Sequence, residues 1–263
     1  MVAAVTAARP ARGFSLLELL LAMAITTTTA GALLSLVVAG QSIARLQPEA
    51  ADLQQRARVV TDVLATELSR AGAGMEAGPF AGSLAERFAA AAPSVDGGLT
   101  IWYASAGGAQ GTLVYPLPAD ALAATIALDQ PCAGAGCGFA DDTTALIFDN
   151  AGCHDLARVE TGSSSLLVLA GGPRTCSYAA GAAIAQGEVR TFFVDPAARQ
   201  LLRRDDATGV AVPIADHVAA MAVEYLDAGR RIRVTLRFVP ALLRQVPDLT
   251  VVLDARPPNL QER

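Results

Sequence analysis

The chain has 263 residues, a formal charge of −5, and is 52% hydrophobic against 17% charged. All 20 of its Lys-or-Arg positions are Arg, so there is no P-loop lysine, no Schiff base and no Ser-Lys dyad. An acidic chain lacks the general electrostatic footprint of a nucleic-acid binder, and no nucleic-acid partner is expected; Arg230, Arg231, Arg233 and Arg237 form a local basic cluster.

From Phe14 to Gly40 the only ionisable side chain is Glu18. Such a run is long enough to cross a bilayer, which takes about 20 apolar residues. A carboxylate at mid-membrane costs roughly 2.5–3.5 kcal/mol on insertion scales. A plain anchor has no use for Glu18, and the apolar core of a secretory signal peptide excludes it. No Cys lies near the start, which removes a lipoprotein. Arg9 and Arg12 precede the run, so the leader faces the cytoplasm and the bulk of the chain is exported.

The order Arg12-Gly13-Phe14-Ser15-Leu16-Leu17-Glu18 resembles the class III signal of type IV pilins and pseudopilins. The resemblance implies a leader over 1–13, cut after Gly13 by a prepilin peptidase, and methylation of the new Phe14 amine. Glu18 then becomes the fifth residue of the mature chain. The resemblance further implies a filament in which Glu18 meets the Phe14 amine of an adjacent subunit. The physics agrees: an α-amino group is positive near neutral pH and needs an anionic partner in an apolar setting. Ser35 stands at mature position 22, often Pro in major pilins, which argues against a bulk-subunit role.

Beyond the apolar run, Leu53, Ala57, Val60, Leu64, Leu68 and Ala71 recur at helical spacing. Asp52, Arg56, Asp62, Glu67 and Arg70 are expected on the other faces. Gly72 and Gly74 end the pattern, and Pro48 predicts a kink or short break. Residues 72–98 read as a connecting region with a short helix at Leu84–Ala91. Leu99–Tyr103 and Thr112–Tyr115 read as a hairpin around Gly107-Gly108. Thr144–Asp149 and Ser165–Ala170 read as short strands. Glu188–Asp195 and Arg199–Arg204 flank a turn at Pro196-Ala197-Ala198. Val218–Leu226, Arg231–Val239 and Leu249–Asp254 read as an antiparallel meander with one wet face. The fold class is therefore α+β, a long N-terminal helix packed on a C-terminal antiparallel β-sheet domain. Its parts are a leader (1–13), a membrane or filament-core helix (14–40), an amphipathic extension (41–72) and an exported β-rich domain (73–263).

Export places Cys132, Cys137, Cys153 and Cys176 in an oxidising compartment, where disulfides are expected. Three pairings exist; taking neighbours in order gives Cys132–Cys137 and Cys153–Cys176. Their spacing matches no zinc module, so no metal is assigned. The glycine-rich loop 131–138 neither follows a strand nor opens a helix, which argues against a phosphate cradle. His154 and His217 are the only imidazoles, and no Gly-x-Ser-x-Gly or His-Glu-x-x-His occurs. No catalysis and no cofactor are expected.

Three further stretches resemble the larger minor pilins of the PilW type: residues 64–72, the pair 193–195 with 202–204, and residues 215–225. That resemblance implies a minor pilin that helps initiate a type IV pilus or sits at its tip. Its partners are then other minor and major pilins, the prepilin peptidase and the inner-membrane assembly platform. It is single-pass in the inner membrane before assembly and on the pilus after. The J-type pseudopilin of type II secretion shares the leader, helix and β-domain and stays open, as does a membrane-anchored binding module.

Overall fold

The computed structural model describes residues 15–76, 78–105, 107–128, 139, 141–162, 165–170, 174–206, 208–242 and 245–260. One helix, α1 (Leu16–Arg70), is followed by antiparallel strands. The strands are β1 (Ala91–Pro93), β2 (Leu99–Ala104), β3 (Gln110–Leu113), β4 (Ala123–Leu128), β5 (Thr144–Phe148) and β6 (His154–Gly162). Then come β7 (Leu166–Ala170), β8 (Ala183–Asp195), β9 (Gln200–Asp205), β10 (Ala211–Asp216), β11 (Val218–Leu226), β12 (Arg231–Phe238) and β13 (Leu249–Ala255). The architecture is α+β, as the patterning predicts.

At 1.5 Å per residue α1 is about 82 Å long. Its first half is apolar and exposed throughout, and it is long and apolar enough to cross a membrane. Four consecutive threonines there, Thr26–Thr29, return their hydroxyls to carbonyls of the preceding turn, so no side-chain hydroxyl is left unpaired in an apolar medium. In the second half, Leu53, Ala57, Val60, Leu64, Leu68 and Ala71 are all buried. This stripe shares a core with β2, the second half of β8, and the inner faces of β11, β12 and β13.

Of the kink or short break expected at Pro48, the break does not occur: Pro48 lies inside one continuous helix. It sits on an exposed turn, where the missing N–H has no packing consequence. The helix ends at Arg70, and Gly72 takes a left-handed φ of +78° while its N–H reaches the Trp102 carbonyl at 2.9 Å. Only a 3-10 turn (Leu84–Glu86) forms where a short helix was predicted, and the chain enters β1 by Ala91.

The predicted hairpin of residues 99–103 with 112–115 is also replaced. Strands β2 and β3 do not pair with each other; they follow one another along the same side of β8. Ser105 and Ala109 both bond to Gln186, so the segment between them is an outward loop in a nearly continuous strand. On its other side β8 pairs with β5 and then β9. Its first half therefore closes a six-stranded antiparallel barrel in the order β8-β3-β4-β7-β6-β5. Its second half is the centre of an open sheet, β1-β2-β8-β9-β10. The barrel has its own core, including Phe139, Ile147, Val159, Leu167, Tyr178 and Ile184. Gly187 marks the change: a Cβ there would stand 2.8 Å from Leu146 Cβ.

The sheet β11-β12-β13 is the expected meander. Ile232, Val234, Leu236 and Phe238 are buried, and Arg231, Arg233 and Arg237 meet Asp254 or Asp248 at the surface.

A disulfide joins Cys153, the residue before β6, to Cys176, 23 residues on. Cys132 and Cys137 lie outside the described residues. A bridge closing a loop of this length contributes about 2–4 kcal/mol by restricting the unfolded chain. The double substitution Cys153→Ser/Cys176→Ser should lower the thermal midpoint of the detergent-solubilised full chain by several degrees; an unchanged midpoint would remove the bridge from the account.

Candidate functional site

Gly13 and Phe14 lie outside the described residues, as does the whole leader segment 1–13. The structure begins at Ser15, the N-cap of α1, whose hydroxyl accepts the Leu17 N–H at 3.2 Å. Glu18 is three residues on, in the first turn, so Ser15-Leu16-Leu17-Glu18 has the spacing of a capping box. The positive end of the helix dipole favours an anion there. Glu18 is exposed, and among the described residues no side chain meets it. Its neighbours on the helix are Leu16, Leu17, Leu19, Leu20 and Leu21, all exposed. A carboxylate thus stands on an uncovered apolar rod, one turn from its end.

Residues 8–34 match the family model described as the prokaryotic N-terminal methylation motif. No curated protein and no solved structure matches the chain. The motif and the apolar helix that carries it are those of a type IV pilin-like or pseudopilin protein, which fits a membrane-anchored subunit that later enters a filament. The motif implies, in general terms, other pilins and their assembly machinery as partners.

Two acids on α1 fix the globular part to the rod. Glu67, expected on a solvated face, is instead 5% exposed. It pairs with Arg190 on β8, lies 3.7 Å from Arg203 on β9, and accepts from the Tyr103 hydroxyl at 3.4 Å. Arg190 also bonds Glu188, which accepts from Tyr103 at 3.0 Å. Burial, then the negative field of Glu67 and Glu188, pushes the Tyr103 phenol well above its ordinary value, so it stays a donor. Glu49 is likewise buried and accepts the N–H groups of Ala241 and Leu242. The spacing carried the signal in both cases. Glu67 is seven residues after Val60, and Glu49 four before Leu53, so both lie on the buried stripe.

A third buried acid works inside the barrel. Asp155 accepts from the Thr175 N–H at 2.9 Å and hydroxyl at 2.7 Å, from the Cys176 N–H at 3.2 Å and from the Tyr178 hydroxyl at 2.8 Å. Together with the disulfide it straps the 175–178 segment to β6. Burial by itself raises the Asp155 carboxyl, but the hydrogen bonds from Thr175, Tyr178 and Cys176 outweigh it and hold the group below its ordinary value. His154 stacks on Phe88 with ring centroids 4.0 Å apart and meets the edge of Trp102 at 4.9 Å. His217 adopts a left-handed φ of +60° between β10 and β11. Among the described residues no cluster of ligands suits a metal ion.

Two predictions follow from these anchors. Arg190→Ala leaves Glu67 buried without its main partner and should cost about 3–5 kcal/mol in denaturant unfolding of the full chain, whereas Arg58→Ala on an exposed face should cost under about 0.5 kcal/mol. Asp155 is bound best as the anion, so its contribution is complete above the unfolded value near 3.8 and is lost as pH falls through its lower folded value. Asp155→Asn should therefore lower stability by about 2–3 kcal/mol at pH 7, with the difference from the native chain shrinking toward pH 2; a difference independent of pH would contradict this.

Proposed function

We propose that the chain is a minor pilin of a type IV pilus, of the PilW type, which helps initiate assembly or occupies the tip. The observation that carries the reading is Glu18: one acid in the first turn of an uncovered apolar helix, within the matched methylation motif at residues 8–34. In this reading residues 1–13 are removed between Gly13 and Phe14, Phe14 is N-methylated, and 14–40 joins the helical core of the filament. Residues 41–72 carry the head, and 73–263 lie outside the inner membrane. Glu18 of one subunit neutralises the Phe14 amine of the next and sets the axial register between packed helices. Cys132 and Cys137 form the second disulfide.

The bulk of the head supports a low-copy role. A barrel, an open sheet and a three-stranded sheet on one helix make a wide, irregular body. A repeating shaft has to fit such a body at every subunit, whereas an initiating complex or tip fits it once. The J-type pseudopilin of type II secretion is the second reading, because the motif at residues 8–34 serves pseudopilins equally.

Glu18→Val removes one partner of a charged contact made only between subunits. Such contacts contribute about 1.5–3 kcal/mol, and 1.4 kcal/mol is about tenfold in an equilibrium. The variant should insert into membranes at native levels while its recovery in sheared filaments falls about tenfold or more. Native recovery in filaments would contradict the reading, and absence of both forms from any filament would favour the membrane-anchored binding module.

A further inference from the structure

We propose that the outer edge of β13 is a docking site for an extended strand supplied by a neighbouring, non-identical filament subunit. The added strand joins the β11-β12-β13 sheet and covers the groove between β13 and α1. This rests on the filament-subunit reading above and names the partner surface within it.

The edges of the fold are treated unequally. Strand β1 is three residues long and ends at Pro93. Strand β10 contains Pro213 and a shift in register. Strand β11 lies against β8 and β9, and its first N–H is used by the Arg199 carbonyl. These are ordinary ways of blocking an edge. Strand β13 also lies against a neighbouring element, α1, but it is seven residues long, pairs with β12 without a register shift, and contains no Pro. Among the described residues its backbone pairs only with β12.

Beside this edge runs a groove of about 290 Å³ lined by Gln54, Ala57, Arg58 and Asp62 of α1 and by Leu249 and Val251 of β13. An added strand gains main-chain hydrogen bonds from β13, while alternate side chains enter the groove and set specificity. Arg58 and Asp62 have no ion-pair partner among the described residues, although other exposed charges nearby, such as Arg56 with Asp52 and Arg233 with Asp254, are paired. The complementary strand therefore presents an apolar side chain over Ala57, Leu249 and Val251, flanked by an acid and a base.

A second copy of this chain does not fit. Strand β13 runs in the same direction as α1: Leu249 lies beside Ala57, and Asn259, just beyond the strand, reaches the Ser69 carbonyl. Pairing two β13 edges antiparallel about a two-fold axis reverses one helix, so the two chains could not be anchored in one membrane with the same orientation. Among the described residues the copy's other edges are the blocked ones. What remains is a strand from a different subunit.

The test uses the full-length chain with a photo-reactive residue at Thr250, co-expressed in turn with each other pilin of its filament system; the control position is Ala222, exposed on β11. The expected result is a Thr250 adduct to a strand residue of one pilin, none from Ala222, and an adduct yield reduced about fivefold or more by Val252→Pro or by Arg58→Glu. Arg58→Glu leaves the strand untouched, so a loss there is not a folding defect. Phe14 methylation is read by mass spectrometry in the same samples. A methylated Phe14 with no adduct, an adduct only between two copies of this chain, or a yield unaffected by both substitutions overturns the docking site alone. An intact leader overturns the filament-subunit reading and the docking site with it.

Discussion

The stripe Leu53, Ala57, Val60, Leu64 and Leu68 is the surface on which the open sheet and the three-stranded sheet are assembled. Hydrophobic burial of this face holds the second half of α1 to the head. The first half of the same helix has no such cover and carries Glu18 as its one charge. It has to be covered by something other than its own domain, and the methylation motif at its start fits a membrane first and packed pilin helices later. One rod thus serves two environments, and the change falls near Leu46, where packing against the head begins.

A stripe of Leu, Val and Ala gives adhesion without a fixed axial position, because a slide of one helical turn presents similar side chains. Glu49 and Glu67 remove that freedom. Each is buried, with its partners among the described residues at one height, the loop after β12 for Glu49 and Tyr103, Arg190 and Arg203 for Glu67. Losing register strands a buried charge, which costs several kcal/mol. If Glu18 does the same between subunits, one device is used three times along the helix: an acid on an apolar face, matched by a donor at one height.

The helix and the meander were legible because their periods are long and uninterrupted. The stripe from Leu53 to Ala71 and the alternation from Arg231 to Phe238 survive intact in the fold. The barrel was not legible. The first half of β8 is Ala183-Ile184-Ala185-Gln186-Gly187, and β4 is similarly rich in Ala, so neither has the alternating bulk that marks a strand. Barrel closure also depends on β5 and β8 pairing across about 40 residues, which local pattern does not encode. The hairpin expected around Gly107-Gly108 failed for the same reason: the first strand matches β2, the second overlaps β3 only at Thr112 and Leu113, and a third strand distant in sequence claims both. Glu67 falls on the buried stripe by its spacing from Val60, although its charge alone reads as exposure.

The central claim is chemical and concerns the first residue of the mature chain. Mass spectrometry of the N-terminal peptide, from protein isolated from cells that contain its own prepilin peptidase, tests it directly. The account predicts a peptide that begins at Phe14 and carries one added methyl group on its amine. A peptide that begins at Met1, or at any residue beyond Phe14, would contradict it and leave only a β-rich domain on a long apolar helix.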